Sequence, residues 1–358
     1  MKIAMISTPF ISTPPRSYGG TELLVHQLVE DLAGRGHVVT LFATGDSRTS
    51  AELRWLYPEP QWPPDPVHDL NHVAWALRMA AESDVEIVHV HSALALAAAR
   101  LLPRELPIVY TLHHPRMDSL SAYYRHFPLA WYVAISRDQL SREVPLPRSE
   151  VIHHGLDPAA YEWTDRPAGY VAFLGRLARE KGPHTAIDAA ARAGLPIRIA
   201  GEVHLVDRDF GDHEILPRLA FPHVESLGDV GMKQKVPLLR DARALLAPLE
   251  WDEPFGLALI EAMLSGCPVV AYPRGSAPEL VEQGVTGFLV DSLDEMAEVI
   301  RPGGALDGFD RQRCREVAAS RFGSERVVRE HEALYARAAG LVGAVDAPRN
   351  SLTRPAAD

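Results

Sequence analysis

Residues 248–263 read Pro248-Leu249-Glu250-Trp251-Asp252-Glu253-Pro254-Phe255-Gly256-Leu257-Ala258-Leu259-Ile260-Glu261-Ala262-Met263. The apolar run Ala244-Leu245-Leu246-Ala247 just before them has the character of a buried strand. After the turn a helical pattern runs on to Ser265-Gly266. The order is strand, acidic turn, glycine, helix. Amides at a helix start have no partner within the helix and favour an anion. Gly256 thus marks a place for a phosphorylated ligand, with Glu253 and Glu261 beside it. Alone, the same residues equally describe an acidic turn and a helix carrying Glu261 on its surface, and only the surrounding chain can decide.

Strands and helices alternate on both sides. Lys2–Ser7 is strand-like; Pro9, Pro14 and Pro15 enforce a loop closed by Gly19-Gly20; then Leu24, Leu28 and Leu32 recur with helical period until Gly34 and Gly36. Val38–Ala43 is the next strand, which makes a βαβ unit and a parallel sheet. Further strands fall at Val85–Val90, Ile108–Leu112, Trp131–Ile135 and Val151–Ile152, with helices at Ala74–Ala81 and Ala93–Leu101. Residues 44–66, rich in Pro and Asp, form an irregular excursion. The alternation lapses after His153 and restarts with strands at Tyr170–Leu174, Ile197–Ala200 and Val224–Leu227, then Val269–Ala271 and Gly287–Val290. Helices at Leu293–Ile300, Arg311–Ser320 and Ser324–Arg337 close the chain. The expected organisation is a Rossmann-like domain over 1–155, a linker over 156–168, a second domain over 169–322, a closing helix over 323–343 and a disordered tail over 344–358. Two doubly wound sheets would then face each other, with ligands at the carboxyl ends of their strands.

Composition narrows the function. The 358 residues suit two domains. An apolar share of 47% with 23% charged residues is that of a soluble globular protein. A net charge of −11, spread along the chain, disfavours nucleic acid as a partner. The cysteines, Cys267 and Cys314, have neither the number nor the spacing of a disulfide framework or a zinc site, which fits a reducing, cytoplasmic setting. No apolar run approaches membrane-spanning length, so membrane contact is at most peripheral. Basic residues are nearly all arginine; Lys2, Lys181, Lys233 and Lys235 are the only lysines.

Three further stretches carry chemistry. Gly19-Gly20-Thr21-Glu22 follows the first strand and opens a helix, a place where backbone can approach an anion. It lacks the G-x-G-x-x-G fingerprint, which disfavours a nicotinamide cofactor. Gly175-Arg176-Leu177-Ala178-Arg179-Glu180-Lys181-Gly182 follows the first strand of the second half, where Arg176 as a fork and Lys181 as a point charge can converge on one diphosphate. His91 and His113 fall at strand ends, but no carboxylate spacing completes a metal cluster with the doublets His113-His114 and His153-His154. Asp207-Arg208-Asp209 reads as the acidic start of a helix. Gly275-Ser276-Ala277-Pro278-Glu279 reads as loop into helix, with Ser276 as N-cap and Glu279 as its capping-box partner.

Taken together these residues resemble the family-4 retaining glycosyltransferases of GT-B fold. The resemblance rests on Glu253-x7-Glu261 around Pro254-Phe255-Gly256-Leu257, supported by Gly175-Arg176-Leu177, Glu180-Lys181-Gly182 and Gly275 to Glu279, and it covers nearly the whole chain. It implies two Rossmann-like domains across a cleft, with the last helix packing back toward the first domain. It implies a nucleoside diphosphate sugar as donor, UDP-hexose by family frequency, with no further cofactor and no metal. It assigns the diphosphate to Arg176 and Lys181 and to amides around Phe255, Gly256 and Leu257, with Gly19 and Gly20 closing from the other domain. Glu253 and His113 would contact the transferred sugar as the catalytic residues, and Glu261 would hold the ribose. The glutamates are then not a glycosidase pair. The acceptor is left as a small molecule, a glycan or a lipid-linked hydroxyl. A GT-B epimerase or phosphorylase, or a nucleotide-sugar-binding protein without transferase activity, is the alternative. A departure from the family is His153-His154-Gly155-Leu156-Asp157 at the linker, where Pro-Asn-Gly-Val-Asp is frequent.

Overall fold

A computed structural model of the chain describes residues 1–16 and 19–342. The last residue of the expected 323–343 helix and the 344–358 tail lie outside the described residues. The strands form two sheets, parallel throughout. The first holds β1 (Lys2–Ile6), β2 (Val38–Phe42), β3 (Glu52–Arg54), β4 (Ile87–Val90), β5 (Ile108–Thr111), β6 (Trp131–Ala134) and β7 (Ser149–Val151), in the order β3-β2-β1-β4-β5-β6-β7. The second holds β8 (Val171–Leu174), β9 (Ile197–Ala200), β10 (Val224–Gly228), β11 (Leu245–Ala247), β12 (Val269–Ala271) and β13 (Gly287–Leu289), in the order β10-β9-β8-β11-β12-β13. Helices cover both faces, so central strands such as Ile-Val-His-Val of β4 are buried at every residue. The order reverses between β1 and β4 in one sheet and between β8 and β11 in the other. Such switch points open the crevice where doubly wound sheets take ligands. Gly19-Gly20 follow β1, Arg176 to Lys181 follow β8, and Glu253 follows β11.

The chain crosses between the sheets twice, side by side. Leu156 donates its amide to the Phe322 carbonyl at 2.9 Å, and Ser324 donates to the Leu156 carbonyl at 3.0 Å. Beyond this crossing the Ser324–Val342 helix lies on the first domain, as expected. Its Glu332 accepts from Arg35 Nε at 2.8 Å and pairs with His37 at 2.9 Å, and its Tyr335 hydroxyl is hydrogen-bonded to His89 Nδ1 at 2.7 Å. Leu334 and Tyr335 are fully buried there.

Some local expectations change. The excursion at 44–66 contains β3, an edge strand too short to show a period. The helix ahead of β4 begins at Pro66, capped by Asp65, well before the expected Ala74. Asp207 ends a 3₁₀ turn at Leu205–Asp207, and the following helix carries a π turn at Gly211–Ile215. Ser276 makes no cap; its hydroxyl donates to the Phe255 carbonyl instead. Glu279 leaves its own helix and accepts from the amides of Arg137 (2.9 Å) and Asp138 (2.6 Å) in the other domain. The capping-box reading fails because unpaired amides at the start of the Arg137–Arg142 helix are the better partners for this carboxylate.

Candidate functional site

A cleft of about 1080 Å³ separates the sheets at their switch points. Gly19, Gly20, His113, Arg176, Lys181, Glu253, Phe255, Gly256, Leu257 and Glu261 all line it. Three of the loops that bring them together are held by glycine. Gly275, at φ +56°, lies so close to the Glu253 backbone that a Cβ would stand 2.3 Å from its nitrogen. Gly182, at φ +72°, packs in the same way on the Pro248 carbonyl. Gly256, at φ +92°, turns the chain into the Leu257–Leu264 helix, which starts at the cleft without a side-chain cap. From the other side Gly20 opens the Gly20–Gly34 helix, and a Cβ there would meet Leu257 Cδ1 at 3.0 Å. The two helix starts therefore face one another.

The charged groups are arranged in pairs. Lys181 Nζ donates to Glu253 Oε2, Trp251 Nε1 donates to the same oxygen at 3.1 Å, and the ammonium sits 4.6 Å from the centre of the Trp251 ring. Glu261, only 4% exposed, accepts from the Tyr161 hydroxyl at 3.0 Å and pairs with Lys235 Nζ at 2.5 Å, both at Oε1. The surface position considered for Glu261 is thus excluded. Arg176 is paired with Glu180 and stands 3.5 Å from Asp207, so Asp207, at the start of the Arg208–Phe210 helix as expected, is also a partner of the cleft arginine. Opposite charges drawn partly out of water are held by pairing with each other.

His113 and His154 line the first-domain side, with His89, His91 and His331 behind them. His113 Nε2 and His91 Nδ1 are hydrogen-bonded at 2.8 Å, His113 stacks on His154 at 5.5 Å, and His89 stacks on His331 at 5.4 Å. Burial, then the neighbouring His114, pushes His113 down to about 3. Burial also holds His89, His91 and His154 well below the ordinary histidine value and His331 down at about 4. These imidazoles are neutral at pH 7, and a group so far from neutrality is poorly matched to general acid–base work there. Among the described residues no group of His, Cys, Asp and Glu is arranged to hold a metal ion.

Lys235 and Tyr161 were not legible as site residues. Tyr161 sits in the aperiodic linker, a hundred positions before its partner Glu261. The one sequence signal for Lys235 was the rarity of lysine.

Two facing doubly wound domains, with paired charges lining the cleft at the switch point of the second, have the architecture of the GT-B glycosyltransferases. Two family models match the chain, one described as Glycosyltransferase Family 4 over residues 18–160 and one as Glycosyl transferases group 1 over residues 164–302. The chain belongs to the family-4 glycosyltransferases and is a transferase enzyme. It is 23% identical to the N-acetyl-alpha-D-glucosaminyl L-malate synthase of Bacillus anthracis, over 89% of this chain and 94% of that protein. Among solved structures, sucrose-phosphate synthase from Thermosynechococcus elongatus superposes with a TM-score of 0.80 at 20% identity, covering 96% of this chain and all of that one. Anabaena HepE, solved in complex with UDP and glucose, gives 0.74 at 20% identity, covering 94% and 99%.

Proposed function

We propose that the enzyme transfers a hexose from UDP-hexose, with retention of configuration, to a hydroxyl of a small-molecule, glycan or lipid-linked acceptor. The observation that carries this reading is the pairing of Lys181 with Glu253 and of Lys235 with Glu261 at one helix start. The UDP and glucose bound by HepE support the choice of donor. Residues 1–155 and 169–322 act as the two domains, hinged at the 156–168 linker, in a cytoplasmic enzyme. Among the described residues no helix is long and apolar enough to cross a membrane.

The chemistry is a problem of charge. The leaving diphosphate gains negative charge as the glycosidic bond breaks, while the sugar becomes cationic at its reacting carbon. Arg176, Lys181 and the amides of Gly256, Leu257 and Ala258 stabilise the diphosphate, and the start of the Gly20–Gly34 helix closes on it from the other side. No metal and no further cofactor enter this scheme. When the diphosphate takes Lys181, Glu253 is released to a sugar hydroxyl. Glu261, oriented at Oε1 by Tyr161 and Lys235, offers Oε2 to the ribose. Neutral His113 positions the sugar through its ring or carbonyl. With no base of suitable pKa among these histidines, the departing phosphate oxygen takes the acceptor proton on the same face. A phosphorylase using a lysine-bound cofactor is disfavoured, because Lys181 and Lys235 are engaged and Lys233 is exposed.

A thermal-shift screen with UDP-, GDP- and ADP-hexoses tests the donor, UDP-hexose giving the largest shift. Proton NMR of the first product then reports its anomeric configuration, and an inverted product would overturn the retaining scheme.

A further inference from the structure

The first-domain wall of the cleft has a chemistry unlike the rest of it. We propose that this wall is a subsite for a neutral saccharide acceptor, with Trp62 as its stacking platform and Glu59 as the acceptor of its hydroxyl hydrogen bonds. The proposal rests on the transferase reading above and names the acceptor class that the same cleft would take.

Trp62 lines the cleft yet leaves 60% of its surface in solvent. A free indole is unfavourable in water, since its apolar area gains about 25 cal/mol per Å² when covered. Nor is it stranded on a loose loop. Gln61 donates its amide to the Pro9 carbonyl at 2.8 Å, Arg48 donates to the Thr13 carbonyl at 2.8 Å, and Ser12 Oγ donates to Asp46 Oδ2 at 2.6 Å. These bonds tie the 44–66 excursion to the loop after β1 at three points, so the ring is held out over the cleft. An aromatic face is slightly negative and suits the slightly positive C–H face of a sugar ring.

The charges on the wall select against anions. Glu59 lines the cleft with an exposed side chain and enters no ion pair among the described residues. Asp46, the other carboxylate there, is held by Ser12 and Thr44. Arg16 is the single cation lining this wall among the described residues, and it already stands 3.4 Å from Asp46. The wall thus sums to a net negative charge beside neutral histidines. A ligand fits when it offers hydroxyl donors to Glu59 and an apolar face to Trp62; a carboxylate or phosphate would meet repulsion.

Maltose serves as the neutral probe and L-malate as the anionic one, each titrated into the full chain saturated with UDP and followed by ligand-observed NMR. Maltose should bind and malate should not. Trp62→Ala should weaken maltose about tenfold and Glu59→Gln about threefold, both leaving UDP affinity, measured by calorimetry, unchanged. Trp62 is exposed, so its replacement leaves the fold intact. Malate binding without maltose, or maltose binding indifferent to both substitutions, would overturn the proposal. Failure of the unmodified chain to bind UDP is a separate result, and it would overturn the donor reading itself.

Discussion

The two walls of the cleft are built on different principles. The second-domain wall is dense with paired charge, and its loops are locked by glycines whose missing Cβ atoms admit a neighbouring backbone: Gly275 on Glu253, Gly182 on Pro248, Gly201 on the Gly175 carbonyl. The first-domain wall has neutral histidines, an exposed indole and an excursion pinned at its edges. A diphosphate presents the same charge and shape in every donor, so a fixed, pre-paired cradle suits it. An acceptor is recognised by contour and hydroxyl pattern, which a loop can supply with few fixed residues. The contrast teaches where rigidity is worth having.

Four sets of measurements would break or sharpen this contrast. The largest effect is expected from Glu253→Gln, which keeps the shape but loses the carboxylate; transfer should fall by about 10² to 10³ in kcat, with donor affinity changed far less. Equal losses in both would make Glu253 a mere donor-binding residue. Next come Lys181→Ala and Arg176→Ala, each expected to weaken UDP binding in calorimetry by about tenfold or more. If neither moves the affinity, the diphosphate lies elsewhere. Lys235→Met leaves Glu261 buried with one partner fewer and should lower UDP affinity about tenfold, with Tyr161→Phe about threefold. For 2′,3′-dideoxy-UDP both losses should vanish; if they persist, Lys235 and Tyr161 act on stability alone.

The effect least tied to a single residue is pH dependence, and it belongs to the first wall. His113, His331 and their neighbours are held below the ordinary histidine value of 6.5, His331 at about 4 and His113 at about 3. Below pH 6.5 the unfolded chain takes up protons that the folded chain refuses. Stability is therefore full above that value and lost as the pH falls toward 4, by about 1.4 kcal/mol per pH unit for each such histidine. Thermal melts from pH 7 to 4.5 should show a steady decline, and His331→Asn should flatten it. An unchanged slope would mean that the cluster is already hydrated.

Legibility in the sequence followed the same division. Arg176, Lys181, Glu253 and Gly256 could be placed at the cleft from the sequence because each lies in a short stretch just after a strand at a switch point. Phe255 and Leu257 came only through the family resemblance. Glu279 was misread for a physical reason: Ser-x-x-Glu satisfies a local rule, but amides from another domain outbid the local ones. Tyr161 and Lys235 had no local rule to satisfy, since a hydrogen bond across a hundred residues leaves no period. Trp62 sat in an excursion without repeat or strand signal, so nothing in the chain said that its ring faces a cleft.

The double crossing at Leu156 and Gly323 has a consequence for the order in which the molecule is made. The helix at Ser324–Val342 covers one face of the first sheet, and Leu334 and Tyr335 are buried against it. On the ribosome that face is translated first and covered after everything else described here. The second domain, contiguous in the chain from Val171 to Leu289, can finish folding while its predecessor still waits for a lid. A chain stalled or cut before residue 324 would release one finished domain and one that is still open along its histidine cluster.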